Sequence, residues 1–277
     1  MRDITRTHGL SAPGAVSAAL WLQAWLDGQA GSDDLLSMLA WVAPDTPVGL
    51  QEPDATHPAE SLLQRIRARQ PVQAWPVLPR PGRTLGWPPT VPGDPSPSVL
   101  LVAGPAQWHT PEARLLARAG SSGWILDDLR DPASSAPAGP NGDITTLPDL
   151  GSIDQLISSA TAESLSPRAA ARRFAELLDE AARELTPLGL ERPATQPGAY
   201  RWANAFGRLP SSVDGQLASL LARIALILDA LDQALREDGA AVTAGEARGR
   251  ASRLRRLDGE LTDLICAAVA GVRPLIA

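Results

Sequence analysis

The 277-residue sequence predicts a helix-dominated α+β protein, with N-terminal helices, a small central Pro/Trp-rich sheet region, and a C-terminal helical bundle with a long antiparallel hairpin. Three observations carry this reading. Apolar residues recur at helical spacing near the start of the chain and over its last third. Nine prolines crowd residues 71–97 and exclude an extended helix there, because each lacks an amide donor and crowds the preceding turn. Short apolar runs rich in Val lie in and just after that stretch, as strands require.

Pro13 suits the first turn of a helix in which Val16, Leu20, Trp21 and Trp25 share a face up to Gly28. Residues 10–26 carry no charge, but Pro13, Gly14 and Gln23 interrupt them, so a buried amphipathic helix fits better than a membrane anchor. Ser32 reads as the N-cap of a second helix, with Asp33 and Asp34 on the positive end of its dipole and Leu35, Leu36, Leu39 and Val42 facing inward. Pro58 opens a third, with Leu62, Leu63 and Ile66 inward. Strands are expected at 72–78, as an edge strand, at 98–103 and at 124–126, with a short helix from Pro111 through Ala119 between the last two. The Pro/Gly/Ser/Ala run from Pro132 to Gly142 is the candidate linker. It divides the chain into an N-terminal helical part with a small α/β unit, residues 1–150, and a C-terminal bundle, residues 151–277.

In the second part Ser152 suits the cap of a short helix through Ile157. Ser166-Pro167 opens a longer one carrying Phe174, Leu177, Leu178, Ala181 and Leu185. A segment around Tyr200, Trp202 and Phe206 precedes the strongest pattern in the chain. Leu217, Leu221, Ile224, Leu228, Leu231 and Leu235 form the seam of a long helix, answered by Leu254, Leu257, Leu261 and Leu264 in the next. Gly239 and the T-x-x-E capping box of Thr243 and Glu246 punctuate the connection, whose shortness favours an antiparallel hairpin.

Composition excludes several chemistries. All 25 basic residues are Arg, so a Walker A lysine, a Schiff-base lysine and the nucleotide-pairing lysine of a kinase are absent. One cysteine, Cys266, and three scattered histidines preclude an intrachain disulfide, a multi-cysteine zinc site and an iron–sulfur cluster from this chain alone. The net charge of -6 argues against a nucleic-acid or anionic-membrane coat. The balance is uneven: residues 1–163 carry 10 Arg against 17 acids, residues 164–277 carry 15 Arg against 14.

Three stretches resemble a known family. They are Leu22–Gly28 with its AWLDG core and the nearby Ser-Asp-Asp-Leu-Leu, Val77–Trp87 reading VLPRPGRTLGW, and Asp238–Glu246 reading DGAAVTAGE. Together they are similar to an uncharacterised family of actinobacterial proteins, which suits the lysine-free, Ala/Arg/Pro-rich composition. The resemblance implies a cytoplasmic setting and carries over no catalytic residue.

Two constellations are candidates for chemistry. Trp108, His109 and Asp127 fall around the second and third strands. In an open α/β unit, ligand-contacting groups gather at strand C-terminal ends, and a His beside carboxylates can act as a general acid or base. A capping or surface histidine is the plainer reading. Asp127, Asp128, Asp131 and Asp143 lack the spacing of a calcium loop, and Gly120-Ser121-Ser122-Gly123 does not satisfy G-x-S-x-G.

The second constellation is Arg248, Arg250, Arg253, Arg255 and Arg256, five charges within nine residues of one helix. Internal pairing with Asp229, Asp232, Glu237 and Asp238 of the preceding helix, or simple solvation, is the plainer reading, and an acidic protein partner, ahead of nucleic-acid phosphates, is the functional one. Trp75, Trp87 and Trp108 serve either a docking surface or, more simply, core filling. The expectation is therefore a non-catalytic cytoplasmic interaction or regulatory protein, with an acidic protein partner, no nucleic acid, no membrane, no metal and no cofactor. An enzyme or small-molecule sensor built on the central unit is the alternative. No oligomeric state follows from the sequence.

Overall fold

Helix α1, Ala12–Leu26, organises the first part of the molecule. Ser11 caps it, its Oγ accepting from the Gly14 amide at 3.2 Å, and Pro13 stands in the first turn, where its missing N–H has no helical partner to lose. The helix is sheathed almost all round: every residue from Pro13 to Trp25 except Trp21 is buried. The expected amphipathic face is therefore only part of a wholly interior helix, as an uncharged 17-residue stretch permits. It ends at Gly28, which takes the left-handed conformation (φ 73) that a residue without a Cβ adopts without strain.

The computed structural model describes residues 10–49, 58–78, 97–103, 114–120, 123–128, 164–186, 200–236 and 244–271. The chain divides into two compact units, Met1–Ala162 with Arg273–Ala277, and Glu163–Val272. The expected linker at Pro132–Gly142 and the short helix after Ser152 lie outside the described residues, as does the boundary at 150.

In the first unit α1 packs on α2, Ser32–Val42, and on the first two strands of a sheet. Gly31, not Ser32, is the N-cap of α2. Ser32 lies one residue inside, where its Oγ accepts from Trp25 Nε1 at 3.2 Å and from an Arg67 guanidinium nitrogen at 3.4 Å. Arg67, in α3 (Pro58–Ala68), also stacks on Trp25, its Cζ 4.7 Å from the ring centroid, so the three helices meet at one indole.

The sheet is a four-stranded antiparallel meander, β1 Pro71–Val77, β2 Ser98–Ala103, β3 Arg114–Gly120 and β4 Gly123–Asp128, in that spatial order. β2 is its buried spine, with Ser98 through Val102 all inaccessible. β1 is an edge strand, as its prolines require.

The helix expected from Pro111 to Ala119 is instead β3. Arg114–Gly120 is built from good helix formers, Arg, Leu and Ala, yet Leu115 and Leu116 pair with Leu101 and Leu100 of β2. Gly120 pairs with Gly123, leaving a two-residue connection of hairpin length to β4. Two flanking strands and a hairpin outweigh a propensity worth only tenths of a kcal/mol per residue. The serines of Gly120-Ser121-Ser122-Gly123 thus join two strands and do not follow a helix.

The edge of β1 is covered by a side chain. Gln23 of α1, nearly buried, donates from Nε2 to the Val72 carbonyl (3.2 Å) and accepts at Oε1 from the Ala74 amide (3.0 Å), as the peptide group of a fifth strand would. Its Nε2 also reaches the Asp27 carboxylate at 3.1 Å. The register of β1 on β2 slips between Pro71 and Gln73, at the residue whose carbonyl Gln23 takes.

The second unit is helical: α4 Pro167–Leu185, α5 Arg201–Phe206, α6 Gly215–Arg236 and α7 Ala244–Ala270. α4 begins as expected, with the Ser166 Oγ accepting from the Ala169 amide and Pro167 in the first turn. The leucine seam of α6 is buried from Leu217 to Leu231, with Leu221, Ile224 and Leu228 fully inaccessible and Leu235 half-buried. Leu254, Leu257, Leu261 and Leu264 of α7 are buried too, and the two helices pack together across the short connection 237–243 to form the hairpin. At roughly 1.5–3 kcal/mol per large apolar side chain removed from water, these seams supply the main cohesion of the unit.

α4 packs on both helices. The ends of the unit touch. The Leu165 amide donates to the Ala267 carbonyl at 3.0 Å, and a Cβ on Gly271 would run into the Leu165 carbonyl.

Asp229 is the buried charge of this seam. Its two carboxylate oxygens accept from the Trp202 and Ala203 amides, both at 3.0 Å. These are the amides of the first turn of α5, whose own N-cap residue, Tyr200, makes no side-chain cap. Asp229 therefore caps a helix 27 residues away in sequence. The ring pair Trp202 and Phe206, centroids 5.8 Å apart, seats α5 on its apolar side.

Candidate interaction surface

The five arginines of α7 do not form one stripe. At about 100° per residue, Arg248 and Arg255 lie two turns apart on the face opposite the leucine seam, and both are exposed. Arg250 falls on the seam side and is half-buried, while Arg253 and Arg256 project along the flank that meets α4.

On that flank the pairing is internal. Arg256 reaches Glu184 at 2.6 Å and Glu180 at 3.2 Å, both on α4, and Glu260 one turn along its own helix at 3.7 Å. The hydrogen bond and charge of Glu184, followed by the charges of Glu260 and Glu180, raise the guanidinium pKa further. Arg253 lines the same crevice, which leaves only about 10 Å³ of space.

Two of the carboxylates expected to balance the stripe are engaged elsewhere, and Glu237 and Asp238 lie outside the described residues. Asp229 caps α5, and Asp232 pairs with Arg201 (3.1 Å) and Arg236 (2.7 Å). For Arg256 the internal partner is α4 and not the preceding helix, because α4 packs on the flank of α7.

A second cationic locus was not anticipated. Between the first turns of α4 and α6 lies an open cleft of about 550 Å³, lined by Arg168 and Arg223 together with Gln216, Ser219, Ala171 and Leu220. The sequence holds a signal for it: the first turn of α4 carries Arg168 and no acid, the reverse of what a helix dipole favours.

The central candidates fare differently. Trp108 and His109 lie outside the described residues, as do His8 and His57. Asp127 stands in β4 with its backbone opposite Leu116. The strands here are antiparallel, so the reasoning from carboxyl ends of an open parallel sheet has no counterpart among the described residues. Of the central tryptophans, Trp75 is buried in β1 and Trp87 lies outside the description. Cys266 is half-buried in α7.

Among the described residues there is no group of three or more His, Cys, Asp or Glu placed to hold a metal ion, and no helix long and apolar enough to cross a membrane.

A search of curated proteins and one of solved structures each return no match. Residues 15–97, which run from α1 through β1 and contain the first two of the three resembling stretches, match the family model described as Rv1486c-like protein, N-terminal domain, and this part of the chain is similar to that domain.

Proposed function

We propose that the protein is a non-catalytic cytoplasmic interaction or regulatory protein, and that it engages an acidic protein partner through the outward face of α7. The observation that carries this reading is the placement of its arginines: Arg256 turns toward carboxylates on α4 and on its own helix, and Arg255, like Arg248, is exposed on the face that no leucine occupies. Exposed guanidinium groups add little to stability but orient and accelerate encounters with acidic surfaces. The cytoplasmic setting is part of the proposal and suits a chain with a single thiol.

The test is capture of partners by the full chain and by the double variant R248Q/R255Q, followed by titration of the purified partner at two salt concentrations. A partner bound by the parent, weakened roughly tenfold in the variant and further by salt, with the melting temperature unchanged, is the expected result. A partner indifferent to both arginines would overturn the assignment of the surface. A saturable metabolite without any protein partner would favour a sensor or enzyme instead.

A further inference from the structure

We infer that the cleft between α4 and α6 is a binding site for a small ligand carrying an oxyanion, a phosphate ester or carboxylate, on a compact apolar body. The site is separate from the outward face of α7, and either can fail without the other. Its volume, about 550 Å³, falls within the range of roughly 300–1,000 Å³ usual for small-molecule sites.

Charge gives the ligand its class. Arg168 and Arg223 both line the cleft, and no carboxylate among the described residues pairs with either. Arg256 is the contrast within the same unit, answered by three glutamates and left with almost no space. Two guanidinium groups on one cleft offer the forked donors that grip an oxyanion bidentately.

Arg223 is also held in place. Its Cζ lies 5.2 Å from the centroid of Phe174, a fully buried ring of α4, a cation–π contact that holds the exposed guanidinium near the cleft. Asp214, the acid next to Gly215, is turned back onto α6, its Oδ1 accepting from the Gln216 and Leu217 amides at 2.9 and 3.3 Å. The first turn of α4 carries no acidic residue, so its positive dipole end reinforces Arg168, whereas the start of α6 is already met by Asp214. Ala171 and Leu220 supply apolar wall, and Gln216 and Ser219 supply adaptable hydrogen-bonding groups, a lining suited to an ester with an apolar substituent more than to a bare ion.

The experiment is calorimetric titration of the full chain with inorganic phosphate, phenyl phosphate and benzoate. It is repeated on R168Q, R223Q and R168K, with R183Q as a charge-matched control on α4, where Arg183 donates to the Asp179 carbonyl. Saturable binding of phenyl phosphate or benzoate, weakened roughly tenfold or more by R168Q and by R223Q and unaffected by R183Q, is expected. R168K should fall between parent and R168Q, since it keeps the charge and loses the fork. Inorganic phosphate should bind more weakly than phenyl phosphate.

Absence of saturable binding in all three titrations would overturn the proposal, as would equal losses in R183Q and R168Q. Circular dichroism of each variant separates loss of binding from loss of fold. R248Q/R255Q should leave phenyl phosphate binding unchanged, which keeps this result distinct from that for α7.

Discussion

Gln23 and Asp229 hold corresponding places in the two units. Each is a nearly buried polar side chain on a central helix, and each satisfies backbone groups at the boundary of a neighbouring element. They differ in chemistry. A strand edge presents donors and acceptors in alternation, and Gln23 supplies both from one amide, one to the Val72 carbonyl and one to the Ala74 N–H. A helix start presents donors only, and Asp229 supplies two acceptor oxygens. The lesson is that a buried polar residue is legible from the backbone groups it serves, more than from its own polarity or charge.

The seam sets the scale against which the comparison is tested. Ile224→Ala and Leu228→Ala, at fully inaccessible positions, should each destabilise the second unit by about 2–5 kcal/mol in denaturant melts. A loss below roughly 0.5 kcal/mol for both, the size of surface substitutions, would break the assignment of that seam.

Asp229→Ala should come next, at about 2 kcal/mol, because it orphans the Trp202 and Ala203 amides. Asp229→Asn sharpens the point: it keeps one acceptor but turns an amide donor toward a backbone donor, so it should recover less than half of the loss. Full recovery would mean that the carboxylate's second oxygen is dispensable.

Gln23→Glu should cost a similar amount, about 2 kcal/mol, since the acceptor for Ala74 survives while a nearly buried carboxylate is set against the Val72 carbonyl and the Asp27 carboxylate. Hydrogen exchange at Ala74 would report it locally, and exchange faster in Gln23→Leu than in Gln23→Glu is expected. Equal exchange in the two variants would show that α1 covers the edge by bulk alone.

Much of the fold was legible. The Ser166-Pro167 start of α4, the proline-marked edge strand and the leucine seam all follow from local rules that tertiary context did not override. β3 was not legible, because Arg-Leu-Leu-Ala-Arg-Ala reads locally as helix and becomes a strand only through partners on either side.

The candidate surface divided in the same way. The arginines of α7 were visible as a charge cluster, yet their sorting into inward and outward members depends on α4, nearly 80 positions away in sequence. Arg168 and Arg223 escaped notice because they sit 55 residues apart and belong to no motif.

The meeting of Leu165 with Gly271 has a consequence for engineering and for inheritance. A unit whose first and last residues touch is nearly a closed ring, so a few added residues joining them would let the chain be opened elsewhere, for example within 237–243, without dismantling the seam. By the same topology the helical unit joins the rest of a chain through two neighbouring points, Leu165 and Gly271. Position 271 is the hinge pin of that property: any side chain larger than hydrogen would wedge the ring apart.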